Sequence, residues 1–509
     1  MTHFLGLDIG TSAVKGVLVD DGQHVVAAAT RAIATSQPAP GWSEQAPLDW
    51  WQAVEATTAE IAGTAPDRWR AVEATAAELA QAAPQAWRDI KAIGLSGQMH
   101  GLVPIDAAGA PIRPAILWDD GRAAAEAAEL ATTVPDMAQL AGVLPMAGLT
   151  APKALWLKRH EPANFARLSC LLLPKDYVRL QLTGQRLTDV SDAAGTLWLD
   201  QAARAWSPAL IAASGLRPDQ LPPIVEGPTA AGRLLPAIAR AWNLPAETLV
   251  VGGGGDATLG AIGIGAVHDG DALISIGTSA QYYVTRDRYA PRNPSGMIHN
   301  FAQALPRTWS QMAALLNGAS CLTWAAGIFG GGDIARALAE VEAGYKGPGA
   351  IMFLPYLAGE RTPHNDPLAR GMFAQLSHAT SRADLFQAVL EGVGYALVDA
   401  QDSLRAVGAE ADHLAIVGGG ARSRLWVRII ASMLGKDLTL YDGADRGPAF
   451  GAARLARLGY TGESVAEVCT RPAVLDVIEP EAALSEAYAK RQPEFRALYQ
   501  ATKALASRP

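Results

Sequence analysis

Ile9-Gly10-Thr11-Ser12-Ala13 recurs as Ile276-Gly277-Thr278-Ser279-Ala280, and each copy lies between two short apolar runs. Each is predicted to be a strand, a tight turn and a second strand, over residues 4–9 and 14–19 in the first copy and 272–276 and 281–284 in the second. Glycine lets the backbone turn closely, and successive N–H groups with Thr and Ser hydroxyls can face phosphate oxygens. Duplication at matching places implies two related halves whose turns grip a polyphosphate between them. The copies differ in that Asp8 precedes the first and Ser275 the second. A carboxylate beside a phosphate cradle is a natural partner for Mg2+.

Around the first copy the chain reads as a three-stranded meander, with the Asp21-Gly22 turn before a third strand over 24–30. A second opening of this kind follows Asp271, and the proline-bearing stretch from Pro208 to Pro245 reads as a connection with short helices. A boundary near residue 247 is therefore expected, dividing the chain into 1–247 and 248–509. Just past it, the apolar run 249–251 leads into Gly252-Gly253-Gly254-Gly255-Asp256 and then a small-residue helix over 257–267. A strand-to-helix turn of this kind presents a carboxylate at the carboxyl edge of a sheet, where α/β proteins bind ligands. There Asp256 could accept a proton from a substrate hydroxyl as it attacks phosphorus; the plainer alternative is an N-cap.

Gly418-Gly419-Gly420 follows the apolar run 414–417 and opens an amphipathic helix over 421–434. Bare backbone lets a flat base or ribose approach, although close helix-to-strand packing would need glycines too. A Walker A loop is excluded, because Gly435-Lys436 is followed by Asp437 rather than Ser or Thr. Ser96-Gly97-Gln98-Met99-His100-Gly101 and Trp118-Asp119-Asp120-Gly121-Arg122 each crowd hydrogen-bonding groups beside an apolar surface, as polyol recognition uses, although a lone His is more often structural and a surface salt bridge is the commoner use of an Asp-Arg pair. The helical segment 51–57 is echoed in order by 69–75, and this duplication carries no evident chemistry.

At 509 residues, half of them hydrophobic, the chain has room for two or three domains with cores of their own. A net charge of −8, without a dense block of Lys or Arg, argues against a nucleic-acid surface. Cys170, Cys321 and Cys469 lie far apart and without metal-ligand spacing, which fits buried thiols in a reducing compartment. Neither a signal segment nor a membrane-spanning apolar stretch is evident, so a cytoplasmic protein is expected.

Taken in order, Leu7-Asp8-Ile9-Gly10-Thr11-Ser12, Trp42-Ser43-Glu44-Gln45, the Gln98-Met99-His100 loop, Trp118-Asp119-Asp120-Gly121-Arg122, Leu173-Pro174-Lys175-Asp176-Tyr177, Gly359-Glu360-Arg361-Thr362-Pro363 and Gly418-Gly419-Gly420 resemble the FGGY carbohydrate kinase family over nearly the whole chain. The resemblance is greatest to members that phosphorylate xylulose. It implies two actin-like, ribonuclease H-type α/β domains around a central cleft, the N-terminal one on the sugar side and the C-terminal one on the nucleotide side. It also implies ATP-dependent phosphorylation of D-xylulose with Asp256 as general base. Met99 and His100, with Gln98, Trp118 and Asp119, would contact the sugar, while Asp8 places Mg2+. Gly10, Thr11, Ser12, Gly277, Thr278 and Ser279 would hold ATP phosphates, and Gly418, Gly419 and Gly420 would lie beside adenosine. Partners implied are a small sugar and ATP, without nucleic acid or membrane, and a homodimer is allowed for. Ala257 stands where the family usually has Asn, Asp119 replaces the Asn of Trp-Asn-Asp-Gly-Arg, and Ala154 is smaller than usual. The first two bear on sugar choice, so a kinase for another ketose or polyol is the nearest alternative. An actin-like ATP-binding protein without sugar chemistry is the more distant one.

Overall fold

The computed structural model describes residues 2–62, 85–290, 297–329 and 331–506. The second copy of the helical repeat, 69–75, lies outside the described residues; the first falls within helix α1 (Pro47–Ile61). Two seven-stranded sheets organise the chain. The first begins with β1 (His3–Ile9), β2 (Ala13–Asp20) and β3 (Val25–Ala32), the expected meander, and then takes β4 (Ile90–Gly97) parallel to β1. Helices α2 (Thr150–His160), α3 (Pro174–Thr183) and α4 (Val190–Ala194) precede its last strands. These are β5 (Ala230–Arg233), β6 (Leu249–Val251) and the two-residue β7 (Gly254–Gly255).

Both β6 and β7 pair in parallel with β4, so the N-terminal sheet runs past the expected boundary at residue 247. The Pro208–Pro245 stretch also holds a strand, β5, that prolines and short helices obscured in the sequence. Asp256 starts helix α5 (Asp256–Gly263), so it stands where the first sheet ends.

The second sheet begins with β8 (Asp271–Ile276), β9 (Ala280–Arg286), β10 (His299–Ala302) and β11 (Trp309–Leu315). After α6 (Arg382–Ala406) it adds β12 (His413–Val417), then helix α7 (Arg424–Leu434) and β13 (Leu438–Tyr441). Helix α8 (Gly447–Thr461), edge strand β14 (Val474–Ile478) and α9 (Ala482–Ala506) complete the fold. The two sheets repeat one plan. A hairpin around the Gly-Thr-Ser turn is flanked by an antiparallel strand on one side and by two parallel strands on the other. This is the actin-like arrangement, and it puts the loop after β4 and the glycines after β12 in equivalent positions.

Helix α8 belongs to the C-terminal half by sequence but packs beneath the first sheet, with Ala449, Ala452 and Ala453 buried against Phe4, Val17 and Ala92. The approach is backbone on backbone. A Cβ at Gly6 would stand 1.9 Å from the Ala449 carbonyl oxygen, and one at Gly94 1.9 Å from that of Ala452. Helix α5 packs on α8 just as closely, since a Cβ at Gly451 would lie 2.0 Å from the Leu259 carbonyl. Small residues thus bring the two halves together directly below Asp256. All three cysteines are buried free thiols, and among the described residues no helix is long and apolar enough to cross a membrane.

Candidate active site

Two open cavities lie between the sheets. One, of about 690 Å³, is walled by Thr11, Met99, His100, Trp118, His299 and Arg361 among others. The other, of about 860 Å³, is walled by Ser275, Gly277, Val417, Gly418, Ala444 and Gly447 among others. Asp256, Ala257, Ser279 and Gln281 line both, so the cavities meet at the start of α5.

The Ala257 N–H donates to Asp256 Oδ1 at 2.7 Å, which turns the carboxylate back over its own helix. Burial, reinforced by the negative charge of Asp8, raises the Asp256 carboxyl to about 7. Asp8 sits on β1 between Ser96 of β4 and Lys15 of β2. Its Oδ1 is buried with no hydrogen-bond partner among the described residues, and burial raises its carboxyl to about 6. Two buried carboxylates, the charge of Asp8 raising Asp256 and Asp8 itself carrying an orphaned oxygen, fit a divalent cation beside them.

The sugar-type residues are held tightly. His100 has φ +68°, and its carbonyl accepts hydrogen bonds from Thr150 Oγ1 and Lys153 Nζ, both at 3.1 Å. Its Nδ1 lies 2.8 Å from the Gly195 carbonyl, and burial lowers its pKa to about 3. The ring is therefore neutral, with the proton on Nδ1 and Nε2 left as an acceptor. Only glycine fits at 195, where a Cβ would stand 2.4 Å from the His100 ring. Met99 packs on Gly255, directly beside the catalytic candidate.

The structure revises several expected contacts. Gln98 is 1% exposed and lines neither cavity. Its Oε1 accepts from Thr11 Oγ1 at 3.1 Å, and its Nε2 donates to Gln45 Oε1 at 3.0 Å. Trp118 Nε1 also donates to Thr11 Oγ1 at 2.9 Å, so the Thr11 hydroxyl links Gln98 to Trp118 at the wall of the first cavity. Asp119 is exposed and lines neither cavity, whereas Asp120 is buried and accepts from Arg122 and from the Ser43 N–H. Ser12 and Thr278 are exposed at the turn tips, and Gly10 closes its turn through an N–H bond to the Ala13 carbonyl. Of the third glycine cluster, Gly418 lines the second cavity, Gly419 is exposed with open space around it, and Gly420 is packed against Ile276 and Trp426.

Sequence reading gave no role to His299, Gln281 or Arg361. Arg361 stands within the Gly359–Pro363 segment and could have been singled out as a cation beside a motif proline. His299 has no neighbouring motif and becomes visible only when β10 reaches the cavity.

Beneath the site lies a fully buried ionic cluster. Lys175 Nζ meets Asp189 Oδ2 at 2.5 Å, Asp176 Oδ1 at 2.7 Å and Asp192 Oδ2 at 3.0 Å. Arg179 adds a contact to Asp176 at 3.1 Å and donates to the Gly252 carbonyl. Three carboxylates face two cations here, and burial pushes the Asp192 carboxyl up, toward its neutral form.

Comparison with known proteins agrees with this architecture. Residues 3–263 match the N-terminal domain of the FGGY family of carbohydrate kinases, and residues 272–460 its C-terminal domain. The chain is 42% identical to a xylulose kinase of Escherichia coli (strain K12), covering 98% of each chain. It is 40% identical to a xylulose kinase of Klebsiella pneumoniae, over 99% of this chain and 100% of the relative. A crystal structure of a xyloylose kinase from Brucella ovis superposes with a TM-score of 0.90 at 43% identity, covering 99% of this chain and 100% of the other. That of a xylulose kinase from Rhodospirillum rubrum gives 0.85 at 28% identity, with the same coverage. With both domain models matched and relatives alike from end to end, the chain belongs to the FGGY family of carbohydrate kinases and is an ATP-dependent sugar kinase.

Proposed function

We propose that this kinase transfers the γ-phosphoryl group of ATP to the terminal hydroxyl of D-xylulose, giving D-xylulose 5-phosphate. The observation that carries the reading is the placement of Asp256 at the junction of the sugar-side and nucleotide-side cavities. The names of the relatives supply the sugar. A carboxylate raised to about 7 is suited to receive the hydroxyl proton as that oxygen attacks phosphorus, because a base works best near the ambient pH. His100 Nε2 accepts from a sugar hydroxyl, and Trp118 and Met99 give the sugar an apolar surface. Thr11 holds Trp118 in place.

ATP lies along the second cavity, with phosphates at the Gly277–Ser279 turn and adenosine toward Gly418. The nucleotide side thus belongs to the C-terminal half, while the sugar side draws on both halves. Asp8 would hold Mg2+, which would supply positive charge to offset that of the phosphates. Water is excluded as the halves close over both substrates. A second reading, a kinase for another ketose or polyol, is favoured by Ala257, a small residue on the wall shared by both cavities.

The test is ADP release together with identification of the phosphorylated product across a panel of ketoses and polyols. D-xylulose is expected to give the highest kcat/KM. Another sugar preferred by tenfold or more would select the second reading, and ADP release independent of every sugar would overturn both.

A further inference from the structure

Arg361 lines the sugar-side cavity, yet among the described residues its guanidinium makes no ion pair or hydrogen bond. The adjacent carboxylate, Glu360, is engaged elsewhere: its Oε1 accepts the N–H groups of Leu316 and of Arg361 itself, each at 2.8 Å. His299 on β10 lines the same cavity, is 1% exposed, and has no partner for either ring nitrogen. Burial, with Arg361 and His100 close by, lowers its pKa and keeps the ring neutral, with one N–H to donate and one bare nitrogen to accept.

The His299 ring nitrogens are unpaired away from water, which is costly, and native proteins keep few such atoms without a reason; Arg361 is half-buried, at the wall of the open cavity. These two residues, both from the C-terminal half, carry unmet hydrogen-bonding capacity at the wall of a cavity built for a polyol. They lie at its His100 end. The His100 and His299 rings meet edge to face at 6.4 Å, and Arg361 acts on His100, whereas the charge acting on Asp256 is that of Asp8.

We propose that Arg361 and His299 form a sugar-reading pair that binds hydroxyl or carbonyl oxygens at the end of the acceptor remote from the hydroxyl being phosphorylated. The inference rests on the sugar kinase reading above and extends it, because it makes the C-terminal half a reader of the sugar as well as of the nucleotide. Guanidinium donors suit oxygens that carry lone pairs, and a neutral imidazole can both give and take a hydrogen bond with a hydroxyl. A site built around such bonds discriminates strongly against an analogue that lacks the oxygen.

The experiment uses the full chain with Arg361→Met and His299→Phe, the latter chosen because Phe301 already packs beside the ring. Steady-state kinetics, and sugar binding read by tryptophan fluorescence, are compared for two acceptors. One is the sugar that the wild-type chain phosphorylates best in the ketose and polyol panel. The other is the same sugar without the hydroxyl farthest from the phosphorylated one. Each variant is expected to raise KM and Kd for the complete sugar by about tenfold or more, with little further loss on the deoxy analogue and an unchanged KM for ATP. Arg361→Lys and His299→Gln provide the same comparison if the larger changes do not fold. Unchanged sugar affinity, or equal losses on the two acceptors, would overturn the pair while leaving the kinase reading intact. A wild-type chain that phosphorylates no sugar in the panel would overturn both.

Discussion

The Ser191 hydroxyl accepts a hydrogen bond from the Gly255 N–H at 3.1 Å, one residue before Asp256. Its own proton goes to Asp189 Oδ1 at 2.5 Å, and Asp189 is in turn held by Lys175. At the other end of the glycine run, Arg179 holds the Gly252 carbonyl. Glycines have no side chains with which to pack, so the strand that presents Asp256 is fixed from outside, at both ends, by one buried ionic cluster.

Ser191→Ala therefore leaves the Gly255 N–H unpaired and loosens the strand, while Ser191→Thr keeps the hydroxyl. Turnover should fall about tenfold in the alanine variant, corresponding to about 1.4 kcal/mol at the transition state, with KM for both substrates near wild type. The threonine variant should recover most of the loss. Unaltered kcat in a folded Ser191→Ala protein would show that the strand needs no such anchor.

Lys175→Met should be far more damaging, because it strands carboxylates in a site with no access to water. A loss of about 3–5 kcal/mol is expected in chemical denaturation. Adding Asp189→Asn should recover part of it, and strictly additive losses would contradict a coupled cluster.

Gly195→Ala introduces no backbone strain, since Gly195 has φ −79°. Its effect falls on the His100 ring, 2.4 Å from the new Cβ. Sugar KM should rise by about tenfold or more while ATP KM stays constant. A parallel change in both would mean that the loop is not specific to the sugar.

His100 also predicts a pH effect on stability. Its folded pKa of about 3 lies below its ordinary 6.5, so the unfolded chain binds the extra proton between those values. The contribution is fully present above pH 6.5 and is lost as pH falls toward 3. Glu360, raised to about 7 by burial, acts with the opposite sign, its contribution being present below about 4.5 and lost as pH rises to 7. The difference between wild type and His100→Asn isolates the histidine: wild type should lose more stability between pH 7 and pH 5. Equal losses would contradict a buried neutral imidazole.

Much of this was legible in the sequence because it rests on local backbone demands. The glycines before Asp256 and the Gly418 corner each need residues without bulk, and such needs leave marks in the chain, as does the repeated Gly-Thr-Ser turn. The end of the N-terminal sheet was misplaced at 247 because β6 and β7 are too short to signal which sheet they join. The hydrogen bond from Thr11 Oγ1 to Gln98 Oε1 joins residues far apart in the chain, which a sequence does not show. His299 went unseen because its importance arises wholly from where β10 lies.

The central claim is that Asp256 accepts the proton at the junction of the two cavities. Its most direct test is Asp256→Ala, with turnover on D-xylulose and ATP binding measured in the same preparation. The account predicts a fall in kcat of about 10²–10⁴-fold with ATP affinity close to wild type; a folded Asp256→Ala protein that phosphorylates the sugar at near the wild-type rate would contradict it.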